Sequence, residues 1–280
     1  MSAELSADVD AVLRVSDDWL SLREAEDARA RSGRLARAVP ALLPDGPITV
    51  HDLGSGTGSM MRWLAPELPG PQTWVLHDWN AELTALASRA APPADADGTP
   101  VTVRSRVGRL DRLTAGDLAG ASLVTASALL DVLTAREAHA IVEACVGAGA
   151  PGLFSLSVTG DVELHPWDAR DIRVTRAFNA HQRREVRGRR LLGRYGGPIV
   201  RGLFERAGYR VRTALTTWRL DAGDPRLLAE WFDGWLGAAE EQTPGLRDEL
   251  EDYRALRGRQ QRRGELSAVV YHLDVLAWPR

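Results

Sequence analysis

The stretch ITVHDLGSGTGSMMRWL sets three glycines, Gly54, Gly56 and Gly58, behind Asp52 and ahead of a helical pattern. Glycine admits a sharp turn and lets a ligand approach the backbone with no side chain in the way. A helix that starts there offers free N–H groups. Asp52 closes the preceding strand, so its carboxylate can meet a cationic or amide group. A second acid, Asp78 in WVLHDWN, stands 20 residues after Gly58. At that distance a carboxylate in an α/β unit accepts hydrogen bonds from both hydroxyls of a ribose. The chemistry on offer is recognition of a nucleoside, with one further carboxylate at the turn.

Two ligand classes use such a unit. The dinucleotide fingerprint is G-x-G-x-x-G/A, but here the sixth position is Ser59 and the third glycine comes one residue early. A carboxylate at Asp52 would also repel a pyrophosphate, whereas it suits the amino group of a methionine moiety. On the motifs VHDLGSGTG, WVLHDWN and LVTASALLDVL, the chain resembles class I S-adenosylmethionine-dependent methyltransferases, over roughly residues 45–220 and the final strand.

The resemblance implies an α/β, Rossmann-like sheet of seven strands in the order 3-2-1-4-5-7-6, the last strand antiparallel. It implies S-adenosyl-L-methionine as cofactor. Gly54, Gly56 and Gly58 would shape its pocket, Asp52 would hold the methionine amino end, and Asp78 the ribose. Trp79 would cover one adenine face, and Ser127 and Leu129 would lie beside the transferable methyl. An N-terminal helical lid would bring Arg31 or Arg23 to the methionine carboxylate. The chain departs from the family in SRVGRLDRL, where Arg109 stands at the place of the usual adenine-binding acid. Asp111, two residues on, is the substitute candidate. The segment before the fourth strand, AGASLV, also lacks the common aspartate.

The elements that must position these groups alternate. Residues 9–43 read as helical. Strands are expected at 48–53, 73–77, 101–106, 122–126 and 152–158, with helices at about 58–68, 81–90 and 135–147. Two further strands, 209–220 and 267–277, enclose helices 225–238 and 246–262. Alternation of this kind implies a parallel sheet covered on both faces. The domain plan is a lid over 1–44 and a methyltransferase-like domain over 45–280, with a helical insertion at about 224–264.

Methyl transfer from a sulfonium is a displacement, so the protein chiefly aligns the partners and excludes water. A base is needed only where the acceptor loses a proton. The fifth strand leads into the polar segment SLSVTGDVELHPWDARDIRVTRAFNAHQRR, at the sheet end where ligands bind. His165 and His181 are the candidate bases, since histidine titrates near neutral pH. Asn179, Gln182, Trp231 and Trp235 are candidates for binding a small, planar or acidic acceptor through oxygen or nitrogen. The arginines 183, 184, 187, 189, 190 and 194 suit an acidic molecule, an RNA backbone or plain solvent. Rival readings are a cofactor-binding subunit without turnover, a nicotinamide oxidoreductase, and a polyamine-synthase-like transfer. The last wants an acid just after the fourth strand, where four residues, Ser127 to Leu130, precede Asp131.

Composition narrows the field further. Lysine and arginine total 35 against 38 acids, for a net charge of −3, which excludes a generally basic nucleic-acid binder. All the cations are arginine, so Schiff-base chemistry and a lysine phosphate loop are excluded. The lone cysteine, Cys145, rules out an intrachain disulfide and a multi-thiolate zinc site. No apolar run approaches the roughly 18 residues of a membrane span, so a cytoplasmic protein is expected. Its expected partner is a small molecule, and neither nucleic acid nor a metal; the oligomeric state stays open.

Overall fold

The computed structural model describes residues 16–90, 93–186 and 188–280. Seven strands form one sheet: β1 (Ile48–Leu53), β2 (Gln72–Asp78), β3 (Thr102–Val107), β4 (Leu123–Ser127), β5 (Gly152–His165), β6 (Arg210–Leu220) and β7 (Ser267–Trp278). Their order is β3-β2-β1-β4-β5-β7-β6. β7 runs antiparallel to both neighbours, and the other pairings are parallel. This is the order and polarity that the methyltransferase resemblance implies.

The helices are α1 (Asp17–Ala30), α2 (Gly33–Ala36), α3 (Ser59–Leu64), α4 (Ala81–Arg89), α5 (Ala135–Gly147), α6 (Arg170–His181), α7 (Gly196–Arg206), α8 (Pro225–Gln242) and α9 (Arg247–Arg262). β1, β2 and β4 are buried almost throughout, as parallel strands covered on both faces must be. One apolar cluster joins Leu35, Met60 and Leu64 to Trp74 on one face. A second sets Ile141 and Phe204 against Phe154 on the other. The third caps the carboxyl end of β5. There Leu227, Phe232 and Trp235 of α8 and Tyr253 of α9 pack on Trp218 of β6 and Val270 of β7.

Three differences from the sequence expectation bear on the site. The helical stretch 9–43 breaks after Ala30; its first seven residues lie outside the described ones. The Ser32 N–H donates to Asp274 Oδ2 at 2.8 Å, and the Ser32 hydroxyl caps α2, so the backbone between the helices is pinned extended. β5 runs on to His165 through two register shifts. Finally, α6 and α7 form where no helix was expected. In α6 the buried Val174 and Ala177 are outnumbered by polar side chains, which hides the helical period. No helix among the described residues is long and apolar enough to cross a membrane.

Candidate functional site

Gly54, Gly56 and Gly58 all adopt left-handed backbone, with φ of 64°, 52° and 84°. A side chain would be strained there, and two of the positions are also crowded. A Cβ on Gly54 would stand 2.8 Å from Leu129 Cδ1, and one on Gly56 would stand 3.2 Å from Leu20 Cδ1 of α1. These two glycines line a cleft of about 170 Å³ together with Asp78, Trp79, Asp111 and Leu129. Gly58 does not line it; its Cβ would meet Ala87 of α4 at 3.4 Å, so it serves helix packing.

Asp78 is held by the turn it faces. Its Oδ2 accepts from the Gly56 N–H at 2.8 Å and its Oδ1 from the Asn80 N–H at 2.9 Å. Burial pushes its pKa up, against the pull of these N–H groups. Each carboxylate oxygen has a second lone pair for a ligand hydroxyl. Asp111, across the cleft, accepts from Arg109 Nε at 3.3 Å.

Beneath the turn lie two buried charges with unused capacity. Asp52 Oδ1 accepts from the hydroxyl of Thr125, its cross-strand neighbour on β4, at 2.8 Å. Asp52 Oδ2 has no partner among the described residues. Burial raises the Asp52 pKa to about 7, against the Thr125 bond and the Arg31 charge. Arg31, at the end of α1, donates from Nη2 to Ser59 Oγ at 2.9 Å and Ser127 Oγ at 3.1 Å, while its Nη1 has no hydrogen-bond partner among the described residues. Burial lowers the Arg31 pKa, and Asp27 is the first charge to oppose that. One spare acceptor and one spare donor, of opposite charge, fit a group with a cationic and an anionic end. The ammonium and carboxylate of an amino acid are such a group.

A second cavity, of about 180 Å³, shares the wall residue Ala128 with the cleft. α8 contributes Trp231 and Trp235, stacked at 5.6 Å and 16°. α1 contributes Trp19 and Arg23, and the Arg23 guanidinium lies 4.9 Å over the Trp218 ring. Asp131, on the turn after β4, and Gln182, after α6, also line it. So does His272, whose Nδ1 has no partner; nor has Trp235 Nε1. Burial pushes Asp131 up to about 6, while burial and the Arg23 charge push His272 down to about 3.

Ala128 and Leu156, both on the wall of this chamber, are left-handed without being glycine, at φ 50° and 56°. Such residues cost on the order of 1–3 kcal/mol each and persist only where the surroundings impose them. Here the Ala128 N–H donates to the Ser155 carbonyl at 3.0 Å and the Leu156 N–H to Asp274 Oδ1 at 2.7 Å.

The sequence-derived candidates separate. Gly54, Gly56, Asp78, Trp79 and Asp111 meet at the cleft, with Asp52, Arg31 and Ser127 linked beneath the turn. Gln182, Trp231 and Trp235 meet at the chamber. Asn179 does not: its Nδ2 donates to the Gly160 carbonyl at 2.8 Å, and its side chain lines an outer groove. That groove, about 810 Å³, is the larger concavity but holds none of the glycine-turn residues.

Neither histidine lines cleft or chamber. His181 is buried between Glu241, 3.1 Å from Nε2, and Arg184, which donates to Nδ1 at 2.9 Å. Both ring nitrogens are thus engaged, and burial with Arg184 lowers its pKa. His165 is exposed at the far end of β5. The arginine run folds onto the protein's own groups: Arg183 and Arg194 stack on Tyr195, and Arg189 pairs with Glu137 at 2.8 Å. Arg187 lies outside the described residues.

Sequence reasoning did not place Trp19, Trp218 or His272 in the site, put Arg23 only beside the cofactor, and weighed Asp131 only for another chemistry. A signal existed for three of them. Trp19 and Arg23 are four apart on one face of α1. On β7, His272 shares its inward parity with Ala268 and Val270, so a polar group stands in an apolar row.

No protein-family model and no curated protein matches the sequence. Solved structures similar to the chain include YcgJ of Bacillus subtilis, at 11% identity and TM-score 0.48, covering 88% of this chain and 97% of that one. A second is an S-adenosylmethionine-dependent methyltransferase of Methanosarcina mazei, at 13% identity and TM-score 0.46, covering 86% and 97%. A third is magnesium protoporphyrin IX methyltransferase of Synechocystis, solved with bound S-adenosylhomocysteine, at 17% identity and TM-score 0.44, covering 72% and 82%. At such identities no residue role passes from these proteins to this one.

Proposed function

We propose that the chain binds S-adenosylmethionine in the cleft and transfers its methyl group to a small molecule in the adjoining chamber. The observation that carries this reading is the pair of unused buried groups, Asp52 Oδ2 and Arg31 Nη1, beneath a left-handed glycine turn that faces Asp78. Asp52 takes the ammonium of the methionine moiety and Arg31 its carboxylate. Asp78 accepts from the ribose hydroxyls, Trp79 lies on one adenine face, and Asp111 stands within the adenine end. The bound cofactor supplies an activated methyl on a sulfonium. The chain orients it toward the chamber past Ala128, and the tryptophan walls exclude water.

α1 acts as a lid: Leu20 presses on Gly56, while Trp19 and Arg23 reach the chamber. Of the lid expected over 1–44, the described part from residue 16 onward supplies that cover, and the insertion at about 224–264 walls the acceptor side of the domain. His165 and His181 have no part in the chemistry.

Calorimetry with S-adenosylhomocysteine tests the reading. We expect micromolar binding that weakens about 100-fold in Asp78→Ala, as for loss of two charge-assisted hydrogen bonds. Binding of NADH in its place, or equal binding by the variant, would rule the assignment out.

A further inference from the structure

We propose that Asp131 is the general base of the chamber and that the acceptor is a small hydroxyaromatic molecule, methylated on its oxygen. The inference rests on the S-adenosylmethionine reading. Asp131 follows Ala128, the wall shared with the cleft, by three residues, and it lines the chamber. Apart from its own N–H, no group donates to its carboxylate among the described residues. The other acid on this wall, Asp161, is turned to the Thr159 hydroxyl at 2.9 Å. Asp131 is therefore the chamber carboxylate free to receive a proton beside the shared wall.

The walls identify what that proton leaves. Stacked indoles on α8 and the tilted Trp19–Trp218 pair, 6.3 Å apart, make flat surfaces. The volume, about 180 Å³, is close to the ~150 Å³ of an apolar cavity that takes one benzene. A single ring with small substituents is the matching size.

Charge decides between a neutral phenol and an alkylammonium. The groups that face Asp131 across the chamber are Arg23 from α1, Asp161 from β5 and His272 from β7; α6 adds Gln182 and α8 only indoles. Arg23 already holds the cation seat over Trp218, and it holds Asp27 through two nitrogens at 2.9 and 3.1 Å. A second cation entering the chamber would meet Arg23 at that seat. A neutral phenol enters without that repulsion, where an ammonium would not. The unpaired Trp235 N–H supplies a donor to such a ring's substituents.

The step balances within these groups. An oxygen lone pair of the acceptor forms the new C–O bond, and the S–CH₃ bond breaks with its electron pair left on sulfur. The hydroxyl proton passes to Asp131 and then to solvent, giving methyl ether, thioether and one proton.

The test uses the full chain holding S-adenosylhomocysteine. Titration with 4-nitrophenol should quench tryptophan fluorescence saturably, and Trp231→Ala should weaken that binding at least tenfold. Asp131→Asn should bind 4-nitrophenol within about threefold of the native chain. In turnover at pH 8, Asp131→Asn should lose at least 100-fold with phenol, which needs a base, but under tenfold with 4-nitrophenol, which ionises unaided. Asp131→Glu should recover part of the loss, and Asp131→Ala replaces Asp131→Asn in the comparison should that variant misfold. Equal slowing of both phenols would overturn the base. Saturable quenching by benzylamine but not by 4-nitrophenol would overturn the acceptor class, with S-adenosylhomocysteine binding left intact. Failure to bind S-adenosylhomocysteine would remove the cofactor reading and this inference with it.

Discussion

α1 and α8 both face the chamber, and they are held down by opposite means. α8 buries Leu227, Leu228, Phe232, Leu236 and Ala239 in a continuous apolar stripe. α1 buries acids instead. Glu24 meets Arg62 through two bonds of 2.6 Å, Glu26 accepts from the Arg219 N–H at 2.6 Å, and Asp27 accepts from the Trp218 indole at 3.1 Å. Apolar burial is worth about 1.5–3 kcal/mol per large side chain and is lost only when the core opens. Of those α1 bonds only Glu24–Arg62 is a partly exposed ion pair, worth roughly 0–1 kcal/mol, and polar attachments of a single helix can open one helix at a time. The α8 wall is thus part of global stability, and α1 is a locally reversible attachment.

The largest blow to this contrast is Phe232→Ala. Phe232 is buried between Trp235 and Tyr253, with ring centroids 6.0 Å away in each case. The variant should lose about 3–5 kcal/mol of global stability in denaturant unfolding.

Asp27→Ala comes next. It strips both Arg23 and the Trp218 N–H of their partner, at about 2 kcal/mol. Hydrogen exchange should show that loss confined to α1, with the protection of α8 unchanged. A uniform loss over both helices would erase the distinction.

The site beneath the turn should sense pH, because α1 delivers Arg31 beside Asp52. The folded chain keeps the Asp52 proton up to about pH 7, whereas the unfolded chain releases it near 3.8. Between those values the folded state holds more protons, so this group's contribution to stability falls as pH rises. Binding an ammonium requires the ionised form. S-adenosylhomocysteine should therefore weaken about tenfold per pH unit below 7, roughly 1.4 kcal/mol, and level off above. Asp52→Asn should bind more weakly and lose that slope.

The smallest effect is Glu24→Gln, at about 0.2–1 kcal/mol. Moderate salt should mimic it in hydrogen exchange of α1.

Legibility followed sequence distance. The glycine turn, Asp52 and Asp78 sit within 27 residues of one βαβ unit, and the backbone geometry of that unit is nearly invariant, so type and spacing were enough. The chamber gathers Trp19, Asp131, Gln182, Trp235 and His272 from five elements. No local period records which of them share a space. Residue type also misled: His181 has the right chemistry for a base, but its direction was set by Glu241 and Arg184, which no spacing rule joins to it. Asn179 likewise carries a binding group already committed to the Gly160 turn.

Leu20 seated on Gly56 has a kinetic corollary. α1 reaches both compartments, through Leu20 at the cleft and Trp19 and Arg23 at the chamber. On the proposed function, spent cofactor and finished product would depart in one lifting motion, and turnover would be timed by a helix swinging clear rather than by bond making. Viscosity would then slow the steady state more than the first cycle.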